Sequence, residues 1–479
     1  MKELTRGLMY SFVGKYSNIL ISLVINSILA RLISPEEYGV LAIVMTFITL
    51  FSNFLEMGWG SAIIQKKDIN QKFISSIFYI NIFFGLAIGM IFYFFSYYFI
   101  SIYYKNIVYR ILGRYMFFYL FFISLGIVPK ALLYRQKKFK EIALISLISN
   151  FISGIIGILL AFKNFSYYSL IWQGVFSNIF IFILSWKISK IKIILFFSFK
   201  ELKSMVSYSN YTFLFSFINY FSRNLDNILI GRYMGIYSLG IYDKAYKLML
   251  YPLSILTNVI SPVLHPVLAR FQDDKEKIYF EYMKIVKILS CLGVLISIIS
   301  FFSSREIILI LYGEKWKDVI PIFKILSACI SIQIVLSSSG TIFLASGKSD
   351  KLFFTGIINS SLMVTIIILG IKFNNLYYLS YMLFLAFLLN FFVAYYILIK
   401  KVLEKDFFKF LKEFLYPVYI LIYLIFINRI YSTYMYDENI LISFLKKIIL
   451  NFSSFLIIVK ILYLKKMKLK EIIKILKKI

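Results

Sequence analysis

The 479 residues are poor in the side chains that carry chemistry: two cysteines, one histidine, seven prolines and four tryptophans. Cys291 and Cys329 both lie inside apolar runs, so neither a disulfide framework nor a Cys/His metal set is expected. His265, flanked by Pro262 and Pro266, stands alone and reads as structural. Gly-rich phosphate loops and HExxH are absent, which removes the common nucleotide- and zinc-dependent enzymes. Acid is scarce too, 23 Asp and Glu against 53 Lys and Arg, for a net charge of +30. In a soluble chain that excess would point to nucleic acid. Here only 16% of residues are charged and 61% are hydrophobic, against about 25% and about 45–50% in soluble proteins. No soluble fold buries so much apolar surface, and the charges punctuate long apolar runs. The expected class is an all-α integral membrane protein that binds no nucleic acid.

Crossing about 30 Å of hydrocarbon takes about 20 apolar residues. By that measure the chain holds about fourteen spans, among them 10–33, 39–64, 205–231, 239–268, 319–345, 414–429 and 439–463. The first lacks a small-x-small cleavage site and is expected to stay as a membrane helix. The eighth is interrupted by Pro252, Pro262 and Pro266, and the thirteenth is short. Loops on the N-terminal side carry most of the basic residues, for example Lys66, Lys67 and Lys72, then Arg135, Lys137, Lys138 and Lys140. The positive-inside rule then puts both termini in the cytoplasm of a bacterial inner membrane. The abundance of Ile, Lys, Asn, Phe and Tyr marks an AT-rich bacterial genome.

The chain repeats itself 201 positions on. Arg31 and Gly39 fall on Arg232 and Gly240, and going backward Lys15, Asn18, Ser22 and Asn26 fall on Ser216, Asn219, Arg223 and Asn227. Spacings of three and four residues set each polar group on one helical face. Six spans separate the copies, so both run the same way across the membrane, as in parallel-repeat transporters. The expected architecture is two six-helix lobes, residues 1–204 and 205–400, followed by two further helices and a basic tail in 401–479.

A charge at mid-membrane depth costs roughly 2.5–3.5 kcal/mol on insertion scales and normally faces a cavity or a partner. Those within the spans are mostly basic: Lys15, Lys130, Arg223, Lys244 and Lys247 against Glu56, Asp226 and Asp243. Arg223 and Asp226, three apart on a helix, either neutralise each other or line a wet cavity. Lys15 either faces that cavity or snorkels. Pro129 should bend the helix where Lys130 emerges, and Arg31 and Arg232 sit at matching helix ends. A cavity of net positive sign favours an anion, phosphate or pyrophosphate, over a cationic drug.

Residues 7–68, GLMYSFVGKYSNILISLVINSILARLISPEEYGVLAIVMTFITLFSNFLEMGWGSAIIQKKD, resemble the first two helices of Wzx-type polysaccharide flippases of the multidrug/oligosaccharidyl-lipid/polysaccharide exporter superfamily. Residues 225–277, LDNILIGRYMGIYSLGIYDKAYKLMLYPLSILTNVISPVLHPVLARFQDDKEK, resemble that family's helices seven and eight. The resemblance implies alternating access around a central cavity, and it puts Arg31, Gly39, Asp226, Arg232, Gly240, Tyr242, Lys244, Tyr246 and Lys247 on motif positions. The expected function is movement of undecaprenyl-diphosphate-linked oligosaccharide to the outer leaflet, for lipopolysaccharide or other surface polysaccharide biosynthesis. No bond is made or broken, so no catalytic residue and no cofactor is expected. Lys15, Asn18, Asn26, Lys130, Asn219, Arg223, Asn227, Lys244 and Lys247 are the substrate-cavity candidates. Glu56 and Asp226 are the candidates for proton or Na⁺ coupling, and membrane lipids and a polysaccharide polymerase complex are the other expected partners. A multidrug antiporter of the same superfamily would carry acidic rather than basic groups in its cavity. A membrane polymerase would need acid/base chemistry on an outward loop, and the longest such loop, Ser304 to Asp318, lacks histidine.

Overall fold

A computed structural model describes residues 2–56, 59–66, 69–198, 220, 224–272, 274–434 and 439–476. Every regular element among them is helical. Two units divide the chain, Met1–Gly240 and Ile241–Ile479.

The first unit contains α1 (Lys2–Leu32), α2 (Pro35–Glu56), α3 (Gln71–Phe94), α4 (Val108–Arg135), α5 (Phe139–Phe162) and α6 (Tyr167–Ser189). Ser34-Pro35-Glu36-Glu37 starts α2 as a capping box. The Glu37 carboxylate accepts from the Ser34 N–H at 2.8 Å, and the Ser34 hydroxyl accepts from the Glu37 N–H at 3.4 Å. Pro35 sits at the first helical position, where a missing N–H costs nothing. Asn70 caps α3 by accepting from the Phe73 N–H at 2.7 Å. Between α2 and α3 lies a short helix, Trp59–Gln65. Its apolar side, Trp59 and Ile63, packs with Phe73, Ile77, Leu125, Val128 and Leu132 of α3 and α4. Its last carbonyls are taken by the Arg135 guanidinium, which donates to the Ile63 carbonyl at 2.9 Å. The short helix is thereby fixed against the second half of α4.

The second unit contains α7 (Ile236–Ala269, whose first turn belongs to the first unit), α8 (Lys275–Phe302), α9 (Ser304–Leu311), α10 (Val319–Ser327), α11 (Cys329–Leu336) and α12 (Ser339–Ala345). Then follow α13 (Ser349–Lys372), α14 (Leu376–Tyr396), α15 (Phe407–Lys412), α16 (Leu415–Tyr434) and α17 (Ile440–Leu476). Apolar residues of α8 and α16, Val294, Leu295 and Ile298 with Ile420 and Leu424, form one of its cores. Two buried asparagines join α16 to α17: the Asn428 amide donates to Asn451 at 2.7 Å and the Asn451 amide donates back at 3.1 Å.

Eleven helices among the described residues are long and apolar enough to cross a membrane, twelve when the bent pair Val319–Ser327 and Cys329–Ala345 counts as one. The chain is a multi-span membrane protein. Most of the expected seventh span, 205–231, lies outside the described residues. The expected eighth is the 34-residue α7, helical through its three prolines. The expected thirteenth is present as α16. The stretch read as one span over 319–345 is instead broken and bent by 46°. At the break the Ser327 hydroxyl donates to the Lys324 carbonyl three residues back at 2.7 Å, competing with the backbone N–H.

Candidate functional site

In the first unit a cavity of about 580 Å³ opens among the end of α2, the short helix, α4 and α6. Its wall includes Ser52, Glu56, Gly60, Gly126, Lys130, Tyr134 and Asn178. Local sequence explains much of this. Pro129 has no N–H to give to the Leu125 carbonyl four residues back. Gly126 leaves a gap, since a Cβ there would have no neighbour within 4 Å. Glu56 and Lys130, 74 positions apart in sequence, are thus brought to one cavity. Both side chains are exposed, and among the described residues neither is in an ion pair. The wall thus offers an acid, a base, and amide and hydroxyl groups beside them.

The other candidates are distributed differently. Lys15 is exposed on α1. Asn18 accepts a 2.6 Å hydrogen bond from the amide of Asn150 on α5, which also donates to the Ser22 hydroxyl at 2.8 Å. Asn26 donates to the Ser22 carbonyl of its own helix at 2.8 Å. Part of the α1 polar stripe is therefore spent on helix packing. Asn219 and Arg223 lie outside the described residues. Asp226 is buried, and its carboxylate accepts from the Asn227 backbone N–H at 2.8 Å.

Lys244 is only 4% exposed, with its ammonium 4.8 Å from the Tyr312 ring and 5.3 Å from the Trp316 ring. Such cation–π contact offsets part of the cost of burying the charge. In this conformation the buried ammonium is not open to a phosphate. Asp243 pairs with Lys247, one turn on, at 2.7 Å. Arg31 is exposed, whereas Arg232 donates to the Tyr103 carbonyl and lies 5.0 Å from the Tyr103 ring.

Residues 28–321 match the polysaccharide biosynthesis protein family. The chain belongs to that family. This member of it is 23% identical over 440 residues to an uncharacterized membrane protein in the cps region of Klebsiella pneumoniae, covering 88% of the chain and 87% of the relative. It is 21% identical to the lipopolysaccharide biosynthesis protein WzxC of Escherichia coli strain K12, covering 86% and 84%. Teichuronic acid biosynthesis protein TuaB of Bacillus subtilis strain 168 is 25% identical over 64% of both chains. In fold the family member is similar to the lipid II flippase MurJ in an inward closed conformation, with a TM-score of 0.76, 20% identity, and coverage of 96% of this chain and 99% of that one. An inward-facing multidrug resistance MATE family transporter follows with a TM-score of 0.59, 16% identity, and coverage of 79% and 93%. The resemblance to polysaccharide flippases drawn from residues 7–68 and 225–277 is thereby borne out.

Asn150, Asn178, Ser52 and Tyr134 were not singled out from the sequence of this family member. Isolated polar residues in an apolar helix are common, and only the packing of α2, α4 and α6 makes three of these four neighbours.

Proposed function

We propose that the protein flips a lipid-linked oligosaccharide across the bacterial inner membrane, and that the lipid is a polyprenyl diphosphate of the undecaprenyl type. The observation that carries this reading is the cavity shared by Glu56 and Lys130. Lys130 holds the diphosphate, while Ser52, Asn178 and Tyr134 meet sugar hydroxyls. Arg223, in a repeat position matching Ser22, is the second phosphate contact. Lys15, Asn227, Lys244 and Lys247 serve as further contacts as the chain alternates between inward- and outward-open forms. Glu56 or Asp226 takes up a proton or Na⁺ on the return step. The proposed architecture has fourteen spans, two six-helix lobes related by the 201-residue offset, and both termini in the cytoplasm. Twelve spans counted with the bent pair, plus α7 and 205–231, are in keeping with that number.

The test is surface glycan display from cells whose only copy is Lys130→Ala or Lys130→Arg, with membrane insertion measured alongside. Loss in the alanine variant and recovery in the arginine variant are expected. Normal display from an inserted Lys130→Ala protein would overturn the assignment.

A further inference from the structure

The second unit contains a larger cavity, about 970 Å³, that the proposed transport route does not use. It is a groove among α8, α10, α11, α14 and α16, and its wall is overwhelmingly apolar. Three cations gather at one end. Arg305 opens α9 just past the last turn of α8, Arg429 lies near the end of α16, and Lys324 of α10 sits 4.9 Å from the ring of Phe301 in that last turn. All three side chains are exposed, and among the described residues none is in an ion pair. Glu306, next in sequence to Arg305, does not neutralise them, because it is buried and bonded to Lys447 at 2.6 Å.

We propose that this groove is a site for an anionic phospholipid, with one acyl chain along α8 and the phosphate at Arg305, Lys324 and Arg429. The wall runs along α8 from Ser290 to Phe302, about 18 Å at 1.5 Å per residue. Half of a 30 Å hydrocarbon core is about 15 Å. The groove is therefore as deep as one leaflet, and its charged end lies where that leaflet's headgroups lie. A transported lipid must bind weakly enough to leave. A leaflet-deep apolar trough closed by three cations retains its occupant, which favours a resident lipid over cargo. At about 1 kcal/mol for each basic side chain facing an anionic lipid, three give a preference over zwitterionic lipid on the order of 100-fold. The inference is independent of which substrate the protein moves.

The test uses the full chain in detergent, stripped of lipid. Phosphatidylglycerol and phosphatidylcholine are added separately, and phosphatidylglycerol is also added together with an equal concentration of undecaprenyl phosphate. Retained lipid is counted by native mass spectrometry for the wild type and for the combined Arg305→Gln, Lys324→Gln and Arg429→Gln variant. Expected is retention of phosphatidylglycerol about 100-fold above phosphatidylcholine in the wild type, lost in the triple variant. A thermal melt without lipid checks that the variant is folded, and the exposed positions of the three cations make that the expected result. Equal retention of the two phospholipids by the wild type would overturn the proposal. So would displacement of phosphatidylglycerol by undecaprenyl phosphate at equal concentration, which would give the groove to the cargo lipid.

Discussion

Gly39 and Gly240 hold two helix N-termini in a reciprocal contact. A Cβ built on Gly39 would lie 1.9 Å from the Ile236 carbonyl oxygen, and one built on Gly240 would lie 2.0 Å from the Pro35 carbonyl oxygen. Ile236 and Pro35 are the first residues of α7 and α2, and the offset of 201 that relates the glycines relates them as well. The absence of a side chain at two matched positions lets one backbone touch the other, as small residues do between membrane helices.

Gly39→Ala and Gly240→Ala are each expected to destabilise the protein by at least about 1–3 kcal/mol, the usual cost of overpacking, because the obstacle is backbone and cannot rotate away. Thermal melts in detergent would check this. A melt unchanged in either variant would mean that the two helix ends are free to separate.

Gly126 invites the opposite experiment. With open space around a Cβ at this helical position, Gly126→Ala is expected to fold normally and to gain up to about 1 kcal/mol from helix propensity. Gly126→Trp should fill the cavity beside Lys130, so glycan display falls while the protein still inserts. Display maintained with tryptophan would place the route elsewhere.

The Asn428 and Asn451 amides satisfy each other between α16 and α17. Interhelical hydrogen bonds in membranes average about 0.6 kcal/mol each, so Asn428→Leu should cost about 1–2 kcal/mol once the stranded Asn451 oxygen is included. Replacing both by leucine should recover most of that loss. A double-mutant cycle on melting would read the coupling directly.

Glu306 accepts from Lys447 at 2.6 Å and from the Ser443 hydroxyl at 3.0 Å, and both charged side chains are mostly buried. Lys447→Met leaves an uncompensated carboxylate and should cost about 3–5 kcal/mol. Glu306→Leu combined with Lys447→Met should lie near the wild type. If Lys447→Met melts like the wild type, the pair contributes nothing to anchoring α17.

The matched helix starts were legible in residues 34–39 and 231–240 alone. The glycines align by simple offset, whereas the capping box at Ser34 and Glu37 emerged only with the structure. The break at 328 was not legible, because a serine in an apolar run reads as tolerated until its hydroxyl is seen on a carbonyl. Nor was the role of Asn18: a polar stripe predicts that something polar faces it, and here part of that something is Asn150 of a neighbouring helix rather than a ligand. Lys244 likewise reads in the chain as a charge within a span, whereas in the fold two aromatic rings from the segment just after α9 lie beside it.

By itself the sequence determined that this protein lives in a membrane, that its elements are helices, and where several of them begin. Hydrocarbon thickness sets the length of an apolar run, and caps act within one turn, so both are written locally. Only the tertiary structure decided which polar groups meet: Glu56 with Lys130 around one cavity, Asn428 with Asn451, and three cations around one apolar groove. Those encounters join residues tens to more than a hundred positions apart, and no local periodicity encodes which helix packs beside which.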